Sequence, residues 1–113
     1  MSRDALLYVA DIVAAGEAIL RYTDGVTAEA FAANDEKRAA VERQLFVLGE
    51  AAARLPDEWK RLRSDVPWRK IVGLRNLLAH GYWSIDVEEL WDIARNKVPE
   101  FVTALRPLLD HKG

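Results

Sequence analysis

Apolar side chains in this chain recur three and four residues apart, and no stretch alternates apolar with polar in the manner of a strand. The predicted fold is therefore all-α. The first run, Leu6, Leu7, Val9, Ala10, Ile12, Val13, Ala14, Ile19 and Leu20, predicts a helix from Arg3 to Tyr22, stopped by Thr23-Asp24-Gly25. Thr27 is placed to cap a short helix running through Ala33 with Phe31 as its apolar anchor, and Asn34 or Asp35 to cap the next. From Asp35 to Leu55, the residues Ala39, Val41, Leu45, Phe46, Leu48, Ala52 and Leu55 form a wide apolar face, and Pro56 ends the element.

Residues 57–67 read as an irregular basic connector with room for a helical turn around Trp59. Order resumes at Pro67, and a helix from Trp68 carries Ile71, Leu74 and Leu78 at helical spacing, with Gly81 where a left-handed C-terminal residue is wanted. Asp86 is a good N-cap, with Glu88 and Glu89 near the positive end of the helix dipole. Pro99 falls inside the run from Val87 to Leu109, so a break or kink is expected near Val98, before Phe101, Val102, Leu105 and Leu108. The pattern predicts one domain, residues 1–113, built as an antiparallel bundle of four to five helices.

Composition narrows the chemistry. The chain has 113 residues and no cysteine, which excludes disulfides, thiolate metal sites and cysteine nucleophiles together. No stretch is long and apolar enough to predict a membrane span, and the N-terminus does not read as a signal peptide, so a cytoplasmic protein is expected. Half the residues are apolar and four are tryptophan, more apolar surface than one small core hides. A homodimer joined through helix faces is the expectation.

The net charge of -2 is unevenly spread. Residues 1–30, 31–59, 60–75 and 76–113 carry balances of -3, -2, +5 and -2, the basic stretch being Lys60, Arg61, Arg63, Arg69, Lys70 and Arg75. Such a segment can attract phosphate locally, or it can be a solvated helix face; the protein lacks the broad positive field of one that coats nucleic acid.

Behind the basic stretch, the helix from Trp68 ends in Arg75, Asn76, His80 and Tyr82. Of the two histidines, His111 lies near the C-terminus in a segment expected to fray, which leaves His80 as the candidate acid-base group. Arg75 and His80 would diverge by about 140° on an unbroken helix, whereas Asn76 and His80 share a face. They converge only if the helix loosens at Ala79 or His80. From spacing alone, Arg75 and His80 can equally be cations that finish a helix end. A lone histidine without clustered carboxylates suggests no metal site, and no cofactor is implied.

The segment Arg75, Asn76, Leu77-Leu78-Ala79, His80, Gly81, Tyr82 resembles the signature of the HEPN-domain toxins of the HepT-like family: arginine, a polar residue, three variable residues, histidine, and tyrosine two beyond. The resemblance extends along the chain through Tyr8-Val9-Ala10-Asp11-Ile12, Leu48-Gly49-Glu50-Ala51, Pro67-Trp68, Asp86 with Leu90-Trp91, and Val98-Pro99. It implies a HEPN-like bundle and a metal-independent endoribonuclease acting on RNA. It also implies Arg75 and His80 as catalytic, Asn76 as their polar support, and a homodimer that joins two such sets in one cleft. Tyr82 is implied as the acceptor of AMP from a cognate minimal nucleotidyltransferase antitoxin. The other reading open at this point is a non-catalytic helical partner of a nucleotidyltransferase, with a purely structural dimerisation domain behind it.

Overall fold

Side-chain caps set where several helices begin. In the computed structural model, which describes residues 4–80 and 85–111, Asp4 accepts from the Leu6 N–H at 3.0 Å and opens α1, Ala5–Thr23. Thr27 accepts from Ala30 and opens α2, Ala28–Ala32, while Asn34, rather than Asp35, accepts from Lys37 and opens α3, Asp35–Arg54. Each such bond satisfies an amide that the first helical turn leaves without a partner. Between α1 and α2 the chain turns at Gly25, whose φ of 70° suits a residue without a Cβ.

The connector after Pro56 is more regular than its sequence suggests. It holds α4, Asp57–Lys60, followed by a 3₁₀ turn, Arg61–Arg63, with Trp59 buried beneath. The Trp68 indole N–H donates to the Arg63 carbonyl at 3.0 Å, which ties the connector to α5, Trp68–Ala79. His111 is not frayed either. Its ring meets Trp59 edge-on at 4.9 Å, and its N–H donates to Leu108, so an aromatic contact and a backbone bond close the segment.

The region around Pro99 departs from expectation in form. Asp86 caps α6, Val87–Asp92, and the helical path runs on through a π turn, Ile93–Lys97, into α7, Val98–Leu105, and a final 3₁₀ turn, Arg106–Asp110. Proline has no N–H to donate, and the chain absorbs this by widening the turn before it. The Val98 N–H then bonds back five residues to Ile93, and the helix bulges instead of breaking.

α3 packs against both α1 and α5, and α1 packs against α7. Their facing sides bury Val9, Ile12 and Ile19 from α1, Val41, Leu45 and Leu48 from α3, and Val98, Val102 and Leu105 from α7. At one end, Phe31 is fully buried with its ring 5.0 Å from that of Trp91. The all-α fold expected from periodicity is what the described residues adopt. Several apolar positions of the predicted runs lie off the core: Leu7 is 48% exposed, Ala10, Ala14 and Ala39 are exposed, and Phe46 is half-buried with the Arg43 guanidinium 5.8 Å from its ring centre. No helix of the described residues is long and apolar enough to cross a membrane.

One buried polar link fastens the end of α1 to the π turn. Thr23 is fully buried, donates to the Ile19 carbonyl at 3.0 Å and accepts from Arg95 Nη1 at 3.0 Å. Thr23→Val keeps the shape but leaves Arg95 without its acceptor, so urea denaturation should show a loss of about 1–2 kcal/mol. An unchanged midpoint would mean that water replaces the threonine at no cost.

Candidate active site

Pro67 stands just before α5, its ring fixing φ near the helical value, and the helix runs from Trp68 to Ala79 without a fully buried residue. Its apolar side chains Ile71, Leu74 and Leu78 are half-buried against the core, and Leu77 is 39% exposed. The helix thus lies at the rim of the bundle with its last turn in reach of solvent.

Against this turn α3 presents Gly49 and Glu50. A Cβ built at Gly49 would lie 2.5 Å from Arg75 Cβ and 3.3 Å from Arg75 Cα, so only a residue without a side chain lets the two helices meet here. The next residue, Glu50, brings Oε1 to 2.8 Å from Arg75 Nε. Nε is buried and its N–H is not aimed at that oxygen within hydrogen-bond angles, so the contact is an ion pair and not a directed hydrogen bond. Arg75 Nη1 donates to Asn76 Oδ1 at 2.8 Å, while Glu50 also pairs with Arg54, one turn further along α3, at 3.5 Å. The side chains of Arg75 and Glu50 are 28% and 30% exposed, a setting in which an ion pair is screened less than on open surface.

His80 is the first residue beyond the helix, with φ -79° and ψ -13°, and it is exposed. Its backbone therefore stays right-handed, and the divergence of about 140° from Arg75 carries through to the end of the turn. The structure joins Arg75 to Asn76 and puts His80 one turn beyond Asn76, with no hydrogen bond between His80 and Arg75. His80 makes no hydrogen bond or ion pair within the described residues. Tyr82, together with the turn expected at Gly81, lies outside the described residues.

The basic stretch divides into structural and free cations. Arg63 grips Asp65 through Nε at 3.0 Å and Nη2 at 2.8 Å, which holds the Asp65 carboxyl below the ordinary carboxylate range and raises the guanidinium further. Lys60 sits 5.9 Å from the centre of the Trp68 ring. Arg61, Arg69 and Lys70 are exposed, with no ion pair among the described residues, and remain available to phosphate.

A cavity lies elsewhere, between α3, α5 and α7, with a volume of about 190 Å³ and a lining that includes Leu45, Leu48, Ile71, Leu74 and Phe101. None of Arg75, Asn76 or His80 lines it. Its lining is mainly apolar, with Asp65, Lys97 and Glu100 also on its wall, and it offers no preorganised set of donors for a phosphodiester. Among the described residues, no three of His, Asp or Glu come together in a way that could hold a metal ion.

Gly49 and Glu50 carry no role in the sequence reading, although they stand within the Leu48-Gly49-Glu50-Ala51 match. A glycine inside a helical pattern was the available signal, because it marks a position where something approaches closely.

The family described as Ribonuclease HepT-like matches residues 12–108, a range that takes in Gly49, Glu50 and the segment from Arg75 to His80. The chain is 34% identical over 99 residues to the "Probable ribonuclease HepT" of Thermococcus cleftensis, covering 88% of this chain and 90% of that protein. It is 34% identical over 98 residues to the "Putative RNase MJ1380" of Methanocaldococcus jannaschii, covering 87% and 90%. A second protein of that organism, "Putative RNase MJ0127", is 32% identical over 107 residues, covering 95% and 88%. No solved structure matches the chain.

Proposed function

Because this chain belongs to the Ribonuclease HepT-like family, we propose that it is a metal-independent endoribonuclease, the cytoplasmic toxin of a pair whose antitoxin is a minimal nucleotidyltransferase. The observation that carries the reading is the end of α5, where a guanidinium held by Glu50 and Asn76 lies on the same last turns as an exposed histidine.

RNA supplies its own nucleophile. The 2′-oxygen attacks phosphorus, the bond to the 5′-oxygen breaks, and a 2′,3′-cyclic phosphate is left on one product with a hydroxyl on the other. His80 accepts the 2′-hydroxyl proton or delivers one to the departing 5′-oxygen, and Arg75 stabilises the negative charge on the phosphoryl oxygens. Asn76, accepting from Arg75 Nη1, supports the guanidinium.

A homodimer completes the site. On one chain Arg75 and His80 point apart, so a single phosphate is best served by Arg75 of one protomer and His80 of another meeting across a two-fold axis. The half-buried length of α5 and exposed Leu77 supply apolar surface for that contact. Tyr82 is the residue onto which the antitoxin transfers AMP, adding bulk and negative charge beside the cleft and so blocking RNA.

The purified, unmodified protein should cut single-stranded RNA in excess EDTA and leave cyclic phosphate ends. No cleavage of any RNA at enzyme excess, together with a stable complex with the nucleotidyltransferase, would replace this reading with that of a non-catalytic partner.

A further inference from the structure

We propose that Glu50 is a positioning residue for RNA cleavage, acting through Arg75. The inference rests on the ribonuclease reading, and it concerns which part of the guanidinium meets the phosphate.

A guanidinium can present a phosphate with the edge formed by Nε and one Nη, or with the end formed by its two Nη atoms. Here the choice is made inside the protein. Nε is buried and faces Glu50 Oε1 at 2.8 Å, which removes the side edge from use. Nη1 spends one N–H on Asn76. Nη2 makes no hydrogen bond among the described residues, so the Nη end is the part left for a phosphate.

Glu50 is well placed for this role. It comes from α3, a different helix from the one that bears Arg75 and His80, so the guanidinium is braced from outside its own element. Gly49 lets the two backbones approach closely enough for a glutamate to reach Nε. Arg54 Nη2 meets Oε2, the other oxygen of the carboxylate, at 3.5 Å, and it offsets part of the neutralisation that a lone carboxylate would impose on Arg75. Without the carboxylate, Arg75 has several free rotors and only Asn76 to restrain it.

The test uses the full chain with Glu50→Gln, which keeps shape and removes charge, and Glu50→Asp, which keeps charge and draws it back by one methylene. Glu50→Gln should lower kcat for a short RNA by about 10- to 100-fold with KM changed much less, since misplacement of a group by about 1 Å costs up to about 100-fold. Glu50→Asp should retain more activity than Glu50→Gln, and the Arg75 Nε–H resonance should shift or exchange faster with water in Glu50→Gln. In an Arg75→Ala background, Glu50→Gln should cause no further loss.

Wild-type kcat in Glu50→Gln overturns the proposal, as does an additive loss in the Arg75→Ala background or an unmoved Nε–H resonance. If Arg75→Ala is weakened and Glu50→Gln is not, this inference fails and the ribonuclease reading stands. If Arg75→Ala cuts RNA at the wild-type rate, both fall. Should Glu50→Gln not fold, Glu50→Asp decides by the same measurements.

Discussion

His80→Ala should slow RNA cleavage by about 10²- to 10⁴-fold while leaving the protein folded, because a positioned proton-transfer group is worth about that much to the rate. The corresponding rise in barrier is about 3–5 kcal/mol. Stability should scarcely respond, since His80 is exposed, stands one residue past α5 and makes no hydrogen bond within the described residues. What it can contribute there is a favourable charge at the helix C-terminus, about 0.3–1 kcal/mol when protonated. Arg75→Ala should cost the reaction about 10²- to 10³-fold, the usual worth of one preorganised donor at the developing charge. Its effect on the fold should be larger, because it leaves the Glu50 carboxylate facing α5 with only Arg54 at 3.5 Å. The double variant should be little worse than the poorer single one if the two groups act in one step. Equal cleavage by wild type and both single variants would remove the catalytic assignment. A loss of more than about 1 kcal/mol from His80→Ala with cleavage intact would mark the histidine as a helix-finishing residue.

That the two readings of His80 need an experiment follows from what a sequence encodes locally. Caps depend on a few adjacent residues, and the side chains of Asp4, Thr27, Asn34 and Asp86 accept from backbone N–H groups two or three positions ahead of them. The ends of α3 and the start of α5 are likewise set by Pro56 and Pro67. Pro99 shows the limit of such reasoning: its missing N–H marks where the helix is disturbed, but whether the chain kinks or widens depends on what packs around it, and here a π turn carries the helix through. Phe46 and Leu7 occupy apolar positions of helical runs yet lie off the core, because periodicity defines a face and not the neighbour that covers it. The site was legible as a set of residue types at the end of α5. The Glu50 contact was not, since it joins positions 25 residues apart through a close helix crossing that no local pattern describes.

That crossing carries the second large effect. Gly49→Ala would bring a Cβ to 2.5 Å from Arg75 Cβ, 3.2 Å from Cγ and 3.3 Å from Cα. Cα and Cβ cannot rotate aside, so relief requires α5 to move away from α3 by about 1 Å to restore ordinary contact near 3.5–4.0 Å. Alanine is favoured over glycine in a helix interior by about 0.5–1 kcal/mol. Overpacking costs about 1–3 kcal/mol, so the net result should be a loss of stability of about 1–2 kcal/mol in urea. Cleavage should fall further than stability suggests, by about 100-fold in kcat/KM, because the same displacement carries Arg75 off its position. Gly73 provides the contrast within α5. A Cβ there meets nothing within 4 Å, so Gly73→Ala should gain about 0.5–1 kcal/mol and cut RNA as the wild type does. If both alanine variants behave alike, the approach of α3 to Arg75 has no part in activity. If only Gly49→Ala loses cleavage, the glycine is there to place the arginine.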